Sequence, residues 1–214
     1  MIFLGFTQSN TAMAMLPLTL ILSAVVARLT RPAPAIALVA IVLAGLNLFT
    51  VGAICVEPVR HLVEELLPDP SFTGRIELWQ FAVEHLMQHP IIGYGFYAFW
   101  GTEQVVYALG GTQPWVNAAS DAHNTYLNLA LTIGIPGLLL SLVWIVFLPI
   151  ADFYRRPAGT PASPLQLLFL RVLLFGIFSS CFENSFFQQL DSVWFLHITA
   201  VFGLRYLSVM PVTA

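Results

Sequence analysis

The chain has 214 residues, 58% of them hydrophobic and only 9% charged, with a formal net charge of −3. Soluble domains carry about 25% charged residues, so this composition, with a mean hydropathy of +0.82, excludes an ordinary soluble domain and marks an integral membrane protein. The slight acidity provides no basic face for a nucleic-acid backbone, and no nucleic-acid partner is expected.

Taken in chain order, five stretches are apolar and long enough to cross a bilayer, which takes about 20 residues. They are about Thr11–Leu29, Ala33–Val56, Ala122–Ala151, Leu165–Asn184 and Ser192–Val209. Backbone in lipid must satisfy its own hydrogen bonds, which predicts an all-α polytopic bundle of about five transmembrane helices. Pro17 and Pro136 are compatible with this, because membrane helices tolerate proline. The third stretch exceeds one crossing, which predicts that it tilts or begins above the bilayer.

All eight basic residues are arginine. Arg28 and Arg31 fall between the first two stretches, Arg155 and Arg156 between the third and fourth, and Arg205 near the end of the fifth. The positive-inside rule assigns these to the cytoplasmic side. Residues 57–121 then form an extracytoplasmic loop, in which eight acidic residues outnumber Arg60 and Arg75. So oriented, the chain starts outside with no basic residue ahead of its first apolar run. It reads as one membrane domain, 1–214, forming the C-terminal part of a larger one.

The outer loop carries helical signals of its own. Pro58–Leu67 sets Val59, Leu62, Val63, Leu66 and Leu67 opposite Arg60, Glu64 and Glu65, the pattern of a surface amphipathic helix. After Pro68-Asp69-Pro70, Thr73 can cap a second helix from Gly74 to about Gln88, with Ile76, Trp79, Val83, Leu86 and Met87 as its apolar face. Gly93 to Gly111 reads as loop. The aromatics Tyr94, Phe96, Tyr97, Phe99, Trp100, Tyr107 and Trp115 fit either sugar stacking or an interfacial belt.

Two positions carry candidate chemistry. Arg75 falls in the first turn of its helix, where a cation opposes the helix dipole. A guanidinium beside free backbone N–H groups makes an anion site suited to phosphate; the other reading is a surface arginine paired with Glu77 or another acid. His123 lies in Asp121-Ala122-His123-Asn124, at the mouth of the third span. If Ser120 or Asp121 caps that span, His123 enters its first turn, where the helix end favours a neutral ring and Asp121 opposes this. A neutral imidazole there can accept a proton; the other reading is a structural interfacial histidine.

Other polar residues say less. His85 and His89 share a helical face but lack an evident third metal ligand. Cys55 and Cys181 admit an oxidised pair, though two buried thiols are the simpler reading. Arg171, inside the fourth span, reads as snorkelling. Glu183 and Asp191 bracket the turn before the fifth span, and either join an outer site or are solvated.

Taken together, Gly74-Arg75 with Trp79, His89-Pro90-Ile91-Ile92-Gly93-Tyr94-Gly95, His123-Asn124 with Tyr126-Leu127, and Gly134-Ile135-Pro136-Gly137 resemble the O-antigen ligase and polymerase superfamily, exopolysaccharide polymerases included. The resemblance runs from about Gln8 through the fifth span. It implies a partial fold of the GT-C glycosyltransferase type and inverting, metal-independent transfer without a cofactor. The implied donor is an undecaprenyl-diphosphate-linked glycan, used at the periplasmic face of the bacterial inner membrane. The implied acceptor is a glycan or lipid A core. Arg75 would bind the donor diphosphate, His123 would activate the acceptor hydroxyl with Asn124 orienting it or the acceptor, and Asn124, Asp121 and Asn10 would be substrate-binding residues. Where the family often has a second arginine or lysine before the first span, this chain has Asn10, which brings no charge. A non-enzymatic polysaccharide transporter subunit and an inactive truncated member are the alternative readings.

Overall fold

The computed structural model describes residues 10–67, 69–102, 119–155 and 160–210. Among these the chain is helical and no strand is present. The helices are α1 (Asn10–Arg28), α2 (Pro32–Phe49), α3 (Gly52–Cys55), α4 (Glu57–Leu66), α5 (Arg75–Gln88) and α6 (Thr125–Leu142). A π-helical stretch, Val143–Phe147, leads into α7 (Leu148–Phe153), and α8 (Pro164–Ser179) and α9 (Ser192–Val209) complete the series.

Among the described residues, four helical segments are long and apolar enough to cross a membrane: Thr11–Arg28, Pro32–Phe49, Thr125–Phe153 and Ser192–Val209. The fourth expected span, 165–184, is instead a 16-residue apolar helix that ends at Ser179. At about 1.5 Å per residue it reaches about 24 Å, short of a hydrocarbon core of about 30 Å. Its start is sharply defined: Ser163 accepts from the Gln166 N–H at 3.2 Å, and the Gln166 side chain accepts from the Ser163 N–H at 2.9 Å. The second span also stops earlier than expected, at Phe49, and α3 follows as a separate turn.

The chain divides into two compact units. The first is drawn from residues up to 43, 141–180 and 185 onward. In it α8 packs against α1 and α9, and α7 packs against α9. Pro149 has no N–H to give to the Ile145 carbonyl four residues back, and that carbonyl accepts from His197 Nε2 of α9 at 3.1 Å. The π-helical register around Ile145 is therefore held from outside its own helix. Asp152, buried at the end of α7, pairs with Arg155 at 3.1 Å and Arg205 at 3.0 Å. Asp191 is the cap of α9, accepting from the Trp194 N–H at 2.7 Å.

The second unit, drawn from 44–140 and 181–184, contains the outer helices and the polar tetrad. Its core is Leu78, Trp79, Phe81, Ala82, Phe99, Ala122, Leu127 and Leu131. In α4, Val63 is buried while Leu62 and Leu66 stay exposed opposite the Arg60–Glu57 and Arg60–Glu64 pairs, the form of a helix lying at an apolar boundary.

The helical run from Thr125 is not continuous. Gly134, at φ 73° and ψ 172°, breaks it, and Pro136 follows. The freed backbone groups are taken up by Pro90–Gly95, which crosses the break. The Tyr94 N–H donates to the Leu131 carbonyl at 3.0 Å, the Gly95 N–H to Thr132 at 2.8 Å, and the Ile135 N–H to the Pro90 carbonyl at 2.8 Å. This is how a broken helix is tolerated in apolar surroundings: each displaced group finds another backbone partner. The crossing admits no side chain, since a Cβ on Gly134 would stand 2.0 Å from the Ile91 oxygen and one on Gly93 would stand 2.6 Å from Thr132.

Two glycine substitutions therefore have opposite outcomes. Gly134→Ala lowers thermal stability in detergent by more than about 2 kcal/mol, whereas Gly45→Ala, inside α2 with nothing within 4 Å of its Cβ, is neutral or stabilising by up to about 1 kcal/mol. Unfolding followed by fluorescence-detected size exclusion measures both.

Candidate functional site

The site is assembled on α5 and α6. Before α5, Asp69 accepts from the Ser71 and Thr73 N–H groups, each at 3.0 Å, and curls the chain through three left-handed residues, Phe72, Thr73 and Gly74. The helix starts at Arg75 with Gly74 as cap residue and no side-chain cap, so Thr73 does not have the capping role its sequence position suggested. Arg75 is thereby placed at the helix start. It donates to the Phe182 carbonyl and to Glu183 Oε1, the latter at 3.0 Å. Its acidic partner is thus Glu183, 108 residues along the chain.

One turn after Arg75, the fully buried Trp79 donates its indole N–H to the Ala122 carbonyl at 2.8 Å. That bond ties α5 to the residue just before His123. The glycine, arginine and tryptophan of the sequence motif are therefore one mechanical unit: a turn, a charge and an anchor.

The tetrad itself differs from expectation in its local geometry. Asp121 Oδ1 accepts from the His123 N–H at 2.7 Å, a side-chain turn that holds His123 at φ 46°. Asn124, not Ser120 or Asp121, stands where the cap belongs: its Oδ1 accepts from the Leu127 N–H at 2.9 Å. His123 thus precedes the helix rather than sitting in its first turn. The Asn124 Nδ2 donates to the Cys181 carbonyl at 2.8 Å and to Asn47 Oδ1 at 3.2 Å, with no part of the side chain exposed.

Glu183 is the residue that sequence reasoning left undecided, and it joins the others. Its Oε2 lies 3.5 Å from His123 Nδ1, and Asp121 Oδ1 lies 3.9 Å from the same nitrogen. The 3.5 Å contact is long for a hydrogen bond and is a charge pair only when the ring is protonated. Three successive carbonyls fix the 181–183 turn: Cys181 accepts from Asn124, Phe182 from Arg75, and Glu183 from the Thr125 hydroxyl at 2.9 Å. No signal in the sequence around residue 183 pointed to this; only the fold brings the turn to Arg75 and His123.

These neighbours set the charge states. The Glu183 carboxylate pushes the His123 pKa up; partial burial opposes it, Asp121 adds to the rise and Arg75 subtracts. Partial burial raises Glu183, but His123 and Arg75 together outweigh it and hold the carboxyl below its ordinary value. The expectation of a ring kept neutral by a helix end therefore gives way to a ring whose proton affinity is raised by a carboxylate.

The remaining candidates lie elsewhere. Asn10 is the first residue of α1, in the other unit, and its side chain falls outside the described residues. His85 is packed with Phe81 and Phe99, and His89 against Tyr94, and among the described residues no three His, Cys, Asp or Glu side chains cluster to hold a metal. Phe99 is core, and Trp100 donates to Asn128 Oδ1 at 2.7 Å. Tyr107 and Trp115 lie outside the described residues. Both cysteines are free, Cys181 buried and Cys55, against expectation, exposed.

Apolar crossing helices, with a guanidinium, a carboxylate and an imidazole gathered at the head of the longest, define a polytopic membrane protein with a polar site at the mouth of a span. A family model described as O-antigen ligase matches residues 1–142, more than half of the chain, and the chain belongs to that family. Comparison with curated proteins and with solved structures gives no match.

A raised histidine pKa contributes stability that is complete below the ordinary value of 6.5 and is lost as pH rises through the folded value. A depressed carboxylate contributes stability that is complete above its ordinary 4.5 and is lost as pH falls through the folded value. The difference in melting temperature between the unaltered protein and Glu183→Gln is accordingly largest between those two pH values and narrows on either side, as a pH series of melts in detergent measures.

Proposed function

We propose that the protein is a membrane glycosyltransferase that moves an undecaprenyl-diphosphate-linked glycan onto a glycan or lipid A core acceptor at the periplasmic face of the bacterial inner membrane. One observation carries this reading: Arg75 and His123, a guanidinium and an imidazole, converge on one carboxylate beside the mouth of a crossing helix. Family membership supplies the reaction class.

The chemistry needs an anion holder and a proton acceptor. The acceptor hydroxyl oxygen attacks the anomeric carbon from the face opposite the diphosphate. The new carbon–oxygen bond forms as the bond to the diphosphate breaks, and the diphosphate leaves with the electron pair, inverting the centre. Arg75 binds the diphosphate and stabilises the charge that grows on it, a two-point task to which guanidinium is suited. The hydroxyl proton passes to His123. With Nδ1 turned toward Glu183, Nε2 is the nitrogen left to accept it. A positioned base of this kind contributes about 10²–10⁴-fold. Asp121 and Asn124 support the site by holding His123 and the helix beneath it, rather than by touching substrate. The reaction as written uses no metal.

The arginines between α1 and α2 and at the ends of α7 and α9 support an outward-facing site. A ligase and a polymerase share this mechanism and differ in acceptor. Loss of the gene gives lipopolysaccharide without attached glycan in the first case, and a single attached repeat or missing free polysaccharide in the second.

Arg75→Ala and His123→Ala each lower transfer at least about 10²-fold with unchanged membrane level, and transfer by the unaltered protein continues in EDTA, as scored by glycan gels with a lipid-linked donor. Transfer by His123→Ala at the normal rate would remove the base assignment. Topology has its own check: a membrane-impermeant maleimide, applied after the outer membrane is permeabilised, labels the exposed Cys55 and leaves the buried Cys181 unmodified.

A further inference from the structure

Glu183 divides its carboxylate between the two groups of the site. Oε1 faces Arg75 at 3.0 Å and Oε2 faces His123 Nδ1 at 3.5 Å. The side chain is half exposed, while the backbone that carries it is pinned through the carbonyls of residues 181–183. The carboxylate can therefore move without the turn moving. It lies against Arg75, the position a diphosphate would take.

We propose that Glu183 is an exchangeable stand-in for the donor diphosphate and a positioning residue for His123: the incoming diphosphate displaces its carboxylate from Arg75, and the freed carboxylate closes on Nδ1. This rests on the reading of Arg75 and His123 given above. Displacement links two events that must coincide. The carboxylate already faces the imidazole at 3.5 Å and comes closer when the donor is in place, so the capacity of the ring to take the acceptor proton rises further in the loaded site. Before loading, the same carboxylate is shared and the base is weaker. A bound donor is thereby protected from an unproductive partner and an empty site from idle proton transfer.

Among the described residues, the charged groups facing the imidazole are three: Glu183 from the turn after α8, Asp121 from its own segment at 3.9 Å, and Arg75 from the start of α5. Asp121 is committed to the His123 backbone N–H at 2.7 Å. Arg75 repels a protonated ring. Only Glu183 has a side chain free to exchange partners.

The test uses the full chain in detergent, with inorganic pyrophosphate as the diphosphate probe and Glu183→Gln as the variant. Glutamine keeps the size and removes the competing charge. Pyrophosphate binding by calorimetry tightens about threefold to fivefold in Glu183→Gln, the size expected for removing a half-exposed ion-pair competitor. In histidine-labelled protein, the His123 titration, identified by its loss in His123→Ala, moves to lower pH in Glu183→Gln. Pyrophosphate moves it upward less in the variant than in the unaltered protein. In transfer assays the variant lowers both KM for donor and kcat, and Glu183→Asp partly restores kcat. A merely structural role would weaken pyrophosphate binding and raise KM. Unchanged or weaker pyrophosphate binding, or an unshifted His123 titration, overturns the proposal. The binding and titration measurements need no turnover, so they stand or fall separately from the transfer reaction itself, which is judged by His123→Ala.

Discussion

The buried side chain of Asn124 is the interaction on which the site depends. One amide caps α6 through Leu127, holds the Cys181 carbonyl and reaches Asn47. Removing it would leave a helix start and the Cys181 carbonyl without this buried partner. Each buried unsatisfied group costs about 1–3 kcal/mol. Because Cys181 begins the turn that carries Glu183, the same amide that starts the helix also fixes where the carboxylate can be. Cap and charge cluster cannot be altered independently.

The second constraint is the exchange of backbone bonds where Pro90–Gly95 crosses the break in α6. It sets the direction of the first part of the helix and so of the tetrad above it. Trp79 closes this arrangement from the other side through the Ala122 carbonyl. Short sequence motifs that look unrelated are in this way parts of one scaffold. Gly93 and Gly134 let two backbones touch, Trp79 ties α5 to the tetrad, and Arg75 and His123 stand on what these produce.

The fold and the candidate site differ in how much of each was legible in the sequence. Because lipid leaves few ways to satisfy a backbone, hydropathy placed α1, the α6–α7 span and α9 closely, though it ran α2 past its end at Phe49. It overextended the α8 span, since the apolar residues Cys181, Phe182, Phe186 and Phe187 continue past the helix into turns whose path is set by polar contacts. Arg75 and His123 were visible as misplaced polar groups. Glu183 was visible only as a residue that either joins an outer site or is solvated, because its partner lies 108 residues distant in sequence, which no local pattern encodes. The capping assignments failed for a related reason: Ser120, Asp121 and Asn124 all have capping chemistry, and only burial of Asn124 decides among them.

The position of Glu183 in the chain has a consequence for biogenesis. Residues 75 and 123 leave the ribosome well before residue 183, and the turn that carries the carboxylate follows α8. Until that turn is delivered, the imidazole lacks its strongest negative neighbour and the guanidinium its counter-ion. The order of synthesis therefore makes the charge cluster a late product of insertion, completed only after α8 has been made.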